Sequence, residues 1–296
     1  MTLEQLRIFV EVAQRQHLTQ AAAALYLTPS AVSSAIRALE DRYGVPLFNR
    51  VGRRIETTEA GRAFMIEARH TLASAQAAET MLSEMGSLKR GSLRLQASQT
   101  IASYWLPPRL VEFQKRHPAI AIELTVGNTQ SVAEAVLAGG ADLGFVEGQV
   151  EDEALTLKEI GQDRLVIVTA PGHPWAHGRP LAARDLTTAR WIMREDGSGT
   201  RSAFAAALKT HALDPAALDI ALTLPSNEAL VSAAGASDLA TVVSELVAGP
   251  LIDAGQLVRI NFDLPPRAFY LLHHRQRYRT KASLAMEDGV LLDRLA

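Results

Sequence analysis

The sequence predicts a multidomain protein: an all-α winged helix-turn-helix, a long linker helix, and a two-lobed α/β domain. Three observations predict it. Short helical periods followed by an arginine-tipped hairpin occupy residues 1–58, a heptad-like seam occupies 59–90, and strand and helix patterns alternate through 91–296. The last region divides into lobe I, about 91–163 and 267–296, and lobe II, about 164–266. At 296 residues the chain is long enough for two or three domains, each with its own core.

Leu3, Leu6, Phe9, Val10 and Ala13 recur at helical spacing and predict a first amphipathic helix. Thr19 is the expected N-cap of a second, alanine-rich helix through Leu25, whose small side chains let another helix approach closely. Tyr26 to Pro29 breaks the pattern. Ser30 is then expected to cap a third helix with Val32, Ile36, Leu39 and Tyr43 inward and Gly44 at its end. Its other face carries Ser30, Ser33, Ser34 and Arg37, small, polar and cationic, as entry into a major groove requires. An isolated stripe of this kind equally suits a solvated helix face. The context favours DNA: "GVPLFNRVGRRIETT" reads as two short strands around Gly52 with Arg50, Arg53 and Arg54 at the tip, a basic wing suited to a narrow minor groove or to phosphates.

From Thr58, with Glu59 in the first turn, a long helix is expected to reach Leu88. Gly61, Phe64, Ala68, Thr71, Ala75, Ala78, Leu82 and Met85 step by three and four, a seam roughly 45 Å long. A helix of that length cannot bury such a seam by itself. Pairing with a second copy makes the chain at least a dimer; packing against its own domain is the alternative. A dimer would fix the separation of two recognition helices on successive half-sites. "SLKRGS" follows as a hinge. It is no phosphate loop, because it lacks the lysine before the serine and follows a helix rather than a strand.

After the hinge, "SLRLQAS" is a strand leading to a helix start at Gln99, "LPPRLVEFQKRHP" a helix with prolines at its start and just past its end, and "AIAIELTVGN" a strand. The helix "TQSVAEAVLAGG" and the buried strand "ADLGFVEG" complete a βαβαβ order, which implies a parallel sheet. A second set runs through "RLVIVTAP", "RWIMRE", a helix from about Thr200 to Ala212, a strand ending at Leu224, a helix from about Ser226, and "LATVVS". "RAFYLLHH" and a last helix return to the first lobe. Two such lobes joined by crossing strands place a cleft at the strands' carboxyl ends.

Composition bounds the function. Net charge is −2, with 11 Lys/Arg against 9 Asp/Glu over residues 1–90 and 19 against 23 over 91–296, so DNA binding is permitted by the first part but not announced by charge. The chain has no cysteine, which removes disulfides and thiolate metal sites and fits a reducing compartment. Neither a signal peptide nor a membrane-spanning run is legible, and the expected location is cytoplasmic, with no membrane partner.

"LEQLRIFVEVAQRQHLTQAAAALYLTPSAVSSAIRALEDRYGVPLFNRVGRRIETTEAGR" resembles the DNA-binding signature of the LysR-type transcriptional regulators over its whole length, and the later segments resemble that family's periplasmic-binding-protein-like effector domain. Within the family, "VGNTQSVAEAVLAGGADLGFVEG" and "REDGSGTR" are most similar to the branch that regulates carbon fixation and responds to sulfur oxyanions. The resemblance implies double-stranded DNA, RNA polymerase and a second copy of the chain as partners, with tetramers usual, and a small effector, an oxyanion or a phosphorylated or carboxylated metabolite, in place of a cofactor. It carries DNA contacts onto Thr28, Pro29, Ser30, Ser33 and Ser34 and wing contacts onto Arg53 and Arg54. Many members have glutamine at the position of Pro29 and a long polar or cationic side chain at that of Ser34. Each lost bidentate base contact removes roughly 1–3 kcal/mol of discrimination, which shifts weight to phosphates, wing and DNA shape.

The clearest effector signal is "REDGSGTR": a strand end, Gly-Ser-Gly and a helix start together offer backbone N–H groups around Gly199, the Ser198 and Thr200 hydroxyls and the Arg201 guanidinium to an oxyanion. A glycine-rich turn capped by Ser198 or Thr200 is the plainer reading. The same strand-to-helix chemistry recurs at Ser98, Gln99 and Thr100 and at Asn128 and Thr129. Glu147, beyond "LGFVE", is an awkward neighbour for an anion: it pairs with Arg201, holds a protonated ligand, or is a solvated loop carboxylate. Ser226, Asn227 and Glu228 open another helix facing that region but need only a capping role. His173 with His177 is interrupted by Gly172, Pro174 and Gly178, His273 and His274 point to opposite faces of a strand, and "DGSGT" is not a nucleophile elbow. With no catalytic motif, an enzyme of small carboxylates is disfavoured. The N-terminal helix-turn-helix disfavours a solute-binding or transport component. A regulator whose effector changes lobe closure is the expectation.

Overall fold

The computed structural model describes residues 1–51, 54–85, 91–148 and 150–292. The chain divides into two compact units, Met1–Leu88 with Leu137–Gly140 and Lys89–Val136 with Ala141–Ala296.

The first unit begins with α1 (Leu3–Arg15), α2 (Leu18–Ala24) and α3 (Pro29–Tyr43), followed by the hairpin β1 (Phe48–Val51) and β2 (Arg54–Thr57) and then α4 (Glu59–Met85). Its core gathers Leu6, Phe9 and Val12 of α1, Ala21 and Ala22 of α2, Val32, Ile36 and Leu39 of α3, and Leu47 and Ile55 beside them. Phe9 is central, with its ring 5.4 Å from that of Phe48 and 4.8 Å from that of Phe64. Two caps differ from the sequence expectation. His17, not Thr19, caps α2, its Nδ1 accepting from the Gln20 amide; Thr28, not Ser30, caps α3, its hydroxyl accepting from the Ala31 amide with Pro29 in the first helical position. Tyr43, expected inward, is 54% exposed because α3 ends there, Gly44 turning the chain away at φ +66°. Glu40 ties α3 to the hairpin by accepting from the amides of Leu47 and Phe48.

The α4 seam is divided. Its first turns lie on their own domain: Ala68 is buried there, Phe64, Met65 and Leu72 pack against the same core, and Gly61 sits where a Cβ would run into the Leu47 carbonyl. Farther along, Leu82 is 70% exposed. So Phe64 and Ala68 belong to the intramolecular core, and the residues left for a partner begin beyond them. The expected extension to Leu88 and the hinge before Gly91 lie outside the described residues.

The second unit holds two five-stranded sheets. Its elements are β3 (Gly91–Ser98), a wide helical turn Ile101–Trp105 running into α5 (Leu106–Arg116), β4 (Ile120–Gly127), α6 (Thr129–Ala138), β5 (Leu143–Glu147), β6 (Leu155–Asp163), β7 (Leu165–Thr169), β8 (Arg190–Arg194), α7 (Gly199–Thr210), β9 (Asp219–Leu224), α8 (Asn227–Gly235), β10 (Ala240–Ser244), α9 (Glu245–Asp253), β11 (Val258–Arg259), β12 (Arg267–His274) and α10 (Lys281–Leu292). The first sheet is ordered β4-β3-β5-β12-β6 and the second β11-β7-β10-β8-β9. β3 runs parallel to β4 and β5, but β12 is antiparallel to both β5 and β6, so this sheet is mixed rather than purely parallel. Leu93, Leu95, Phe145 and Phe269 face α5 and α10 in one core, while Trp191, Phe204 and Leu208 centre a second and Val168, Ile192, Leu230 and Val243 a third.

The chain passes from the first sheet to the second between β6 and β7, with only Arg164 intervening, and returns to the first at Arg267. Those two crossings are adjacent, Arg267 pairing in register with Asp163. Their side chains lock them: the buried Arg267 donates from Nε and Nη2 to Asp163 Oδ2 at 2.9 and 2.6 Å, and Ser244 of β10 donates to Asp163 Oδ1 at 2.7 Å.

Candidate functional site

Two surfaces carry the residues of interest. On the first unit, Thr28, Pro29, Ser30, Ser34 and Arg37 are exposed and Ser33 is half-buried along one face of α3. The Thr28 and Ser30 hydroxyls lie 3.0 Å apart, and the Arg37 side chain lies back along the helix, Nη2 3.4 Å from Ser33 Oγ. The first turn therefore presents small side chains and hydroxyls and no long side chain. Arg53 lies outside the described residues, as do the side chains of Arg50 and Arg54, whose backbones belong to β1 and β2. Tyr26 was not anticipated: it is 97% exposed in the turn between α2 and α3 and held at φ +56°.

In the second unit, three strand-to-helix turns converge between the two sheets. Ser98 ends β3, Asn128 and Thr129 follow β4, and Ser198 to Arg201 follow β8. The second and third of these turns are bonded to each other, and the second also to the end of β5. Asn128 Nδ2 donates to Glu195 Oε1 at 3.2 Å, the Gln130 amide donates to the Gly197 carbonyl, and Thr129 Oγ1 donates to the Glu147 carbonyl at 3.0 Å. Gly199 is required by closeness, since a Cβ there would strike the Glu147 carbonyl and Thr129 Oγ1. Ser198 caps α7 through the Arg201 amide, and Thr200 Oγ1 accepts from Arg267 Nη1 at 3.0 Å.

Asn227, fully buried at the start of α8, makes the second bridge. Its amide donates to Gln99 Oε1 at 2.7 Å, its Nδ2 donates to Thr100 Oγ1 at 3.1 Å, and its Oδ1 accepts from Arg194 Nη1 at 3.0 Å. Gln99 Nε2 donates to Glu228 at 2.6 Å. The buried Arg194 also holds Glu195 from two nitrogens, at 2.8 and 2.9 Å. Burial alone would raise the Glu195 carboxyl, but the hydrogen bonds from Arg194 and Asn128 outweigh it and hold the group below the ordinary carboxylate range. Arg194, Glu195, Asn227, Asp163 and Arg267 thus join the expected residues. Of these, Asn227 was expected only as part of a helix start and Arg194 and Glu195 only as the head of "REDGSGTR"; local pattern did not mark Asp163 or Arg267.

Arg201 does not pair with Glu147. Its Nη1 donates to the Arg194 carbonyl at 3.0 Å, and its Nη2 meets Asp196 at 3.3 Å. Nor is Glu147 a solvated loop residue: it is the last residue of β5 and 3% exposed. Ser98 Oγ is buried and has no hydrogen-bond partner among the described residues.

A wing beside an open helix start, and an α/β domain with a polar seam between two lobes, define the class: a regulator that binds DNA through one domain and a small molecule through the other. Residues 3–62 match the bacterial regulatory helix-turn-helix protein family, lysR family, and residues 86–290 match the LysR substrate binding domain. The chain belongs to the LysR family of transcriptional regulators. It is 36% identical to the uncharacterized HTH-type transcriptional regulator YeiE of Escherichia coli (strain K12), covering 95% of this chain and 94% of that one. It is 31% identical to the RuBisCO operon transcriptional regulator of Allochromatium vinosum, over 98% and 96% of the two chains. In fold it is similar to full-length CbnR crystallised with its target DNA, at a TM-score of 0.70 and 21% identity over 99% and 100% of the chains. Its effector domain is similar to the Synechocystis PCC6803 CcmR regulatory domain in complex with 2-PG, at a TM-score of 0.61 and 25% identity over 69% and 97%. Among the described residues no helix is long and apolar enough to cross a membrane.

Proposed function

We propose that this regulator senses a small anion between the lobes of residues 91–296 and reads DNA with residues 1–58. The observation that carries the effector reading is that three strand-to-helix turns, at Ser98 to Thr100, Asn128 to Thr129 and Ser198 to Arg201, lie on one interlobe seam, the first tied to it through Asn227 and Arg194 and the other two bonded directly. Helix starts concentrate unpaired amides and positive dipole ends, which suit an anion. A relative's regulatory domain crystallised with 2-PG supports a small acid as the ligand class. The seam is closed by its own side chains, so a ligand must exchange some of these bonds for its own, which couples occupancy to lobe closure.

On DNA, the short side chains of Thr28, Ser30, Ser33 and Ser34 allow close approach of α3, and Arg37 with the wing's Arg50, Arg53 and Arg54 supplies the charge. Pairing through the linker, 59–90, sets two recognition helices on successive half-sites. The assembly is a homodimer or a pair of dimers, acting on promoters in the cytoplasm together with RNA polymerase. Catalysis is no part of this reading.

One experiment tests the effector reading: operator affinity and melting temperature of the full-length chain with sulfate, phosphate and small carboxylic acids, in the native chain and in Ser98→Ala. Specific ligands raise the melting temperature by binding the native state, and Ser98→Ala should diminish the shift while leaving ligand-free operator affinity unchanged. No shift with any small acid would refute the proposal.

A further inference from the structure

Glu147 is a buried residue whose carboxylate accepts no hydrogen bond among the described residues. Its backbone carbonyl is used by Thr129 Oγ1, but among the described residues its carboxylate has no hydrogen bond, only an ion pair with Arg267 Nη2 at 3.9 Å. Arg267 is already engaged more closely, by Asp163 at 2.6 and 2.9 Å and by Thr200 at 3.0 Å. Arg194 is held by Glu195 and Arg201 by Asp196, so each neighbouring cation already has a closer carboxylate of its own, and Glu147 is left with that one long contact. A buried carboxylate accepts hydrogen bonds and donates none, and leaving it unmatched is costly. Next to it in the same sheet is a second unmatched group. Ser98 ends the neighbouring strand β3, one residue past the Ala97–Phe145 register pair, and its Oγ is buried and unpartnered.

A bare dianion would meet Glu147 as a like charge and leave its lone pairs empty. Adding a hydroxyl or ammonium group next to the ligand's acid satisfies both the helix starts and the carboxylate. We infer that the effector is a donor-bearing acid, a hydroxy acid or an amino acid, with its acid group on the helix starts and its donor on Glu147. The inference rests on the interlobe site proposed above and narrows the ligand it takes. The hydroxyl and ammonium versions share this chemistry and are separated by experiment.

The test measures binding to the full-length chain, by calorimetry and melting temperature, of two matched series: acetate, glycolate and glycine, and succinate, malate and aspartate. Within a series only the donor changes. In the native chain at least one donor-bearing acid should bind about tenfold or more tighter than its donor-free match, the effect of one buried hydrogen bond. Glycolate or malate leading identifies a hydroxyl; glycine or aspartate leading identifies an ammonium group. Glu147→Gln should bring the ratio toward one with operator affinity unchanged. Should that variant fail to fold, Ser98→Ala should reduce the same ratio. Donor-free acids binding as tightly as their matches, or sulfate or phosphate binding when none of the six does, would overturn the donor inference and leave the anion-sensing reading standing, whereas no binding by any of the six nor by sulfate or phosphate would overturn both. A ratio unaffected by either substitution would remove Glu147 and Ser98 from the recognition.

Discussion

Asn227 uses its amide and both side-chain polar atoms, on Gln99, Thr100 and Arg194, at a position with no solvent to replace them. Asn227→Ala leaves a guanidinium N–H and a hydroxyl unmatched and should lower the stability of the effector domain by about 2 kcal/mol or more, read from urea denaturation. Replacing the exposed Asp196 should cost much less. Acid should act on the carboxylates these networks hold. Burial alone would raise the Glu287 carboxyl, and Lys158 and Arg279 outweigh it, keeping it below the ordinary range. A depressed carboxyl contributes its full stability above the ordinary carboxylate range and loses it as the pH falls through that range to the depressed value. Glu195 has the same sign. Unfolding free energy should therefore decline from neutral pH toward acid, less steeply in Glu287→Gln; equal slopes in the two chains would contradict the assignment.

At the scale of elements, caps and seams separate what packs from what is free. Thr28→Ala removes the α3 cap and should destabilise the first domain by about 1 kcal/mol, while Thr19→Ala, on an exposed residue that caps nothing, should stay within about 0.5 kcal/mol. In α4 the division is between the start of the helix and its later turns. Phe64 packs tilted against Phe9 at the edge of the core, so Phe64→Glu should destabilise the winged domain rather than report on association. Leu82, 70% exposed, is the position for the association test. Leu82→Glu should weaken self-association in sedimentation equilibrium with the domain's melting temperature unchanged; a wild-type chain that is monomeric at micromolar concentration would end the dimer proposal.

For the whole molecule, operator binding should be strongly salt-dependent, since the α3 face offers few long side chains for base contacts and the charge resides in the wing. Substituting both Arg53 and Arg54 by alanine should reduce the slope of log K against log salt by about 1.8, two phosphate contacts at about 0.9 each, with a similar loss on unrelated DNA. Much of this architecture was legible in the chain. The period of Leu6, Phe9 and Ala13, the two short strands β1 and β2, Pro107 and Pro108 in the first turn of α5, and the strand pattern of "RAFYLLHH" are each decided within a few residues by periodicity, capping and turn chemistry. The strand β6 did not stand out, because "TLKEIGQD" has weak alternation and is made a strand by pairing with β12.

By itself, then, the sequence determined the order of most elements, the family and the list of polar residues at strand ends. Only the tertiary structure decided which of those residues hold one another. Gln99 meets Asn227 across 128 residues, and Arg267 meets Asp163 across 104. It also gave Thr129 and Gly199 a packing role against Glu147, and among the described residues left the carboxylate of Glu147 with only its long ion pair to Arg267 and the hydroxyl of Ser98 without a hydrogen-bond partner. The physical reason is that helix and strand preferences are summed over neighbours in the chain, whereas pairing of a buried polar group depends on whatever the fold brings within about 3 Å of it.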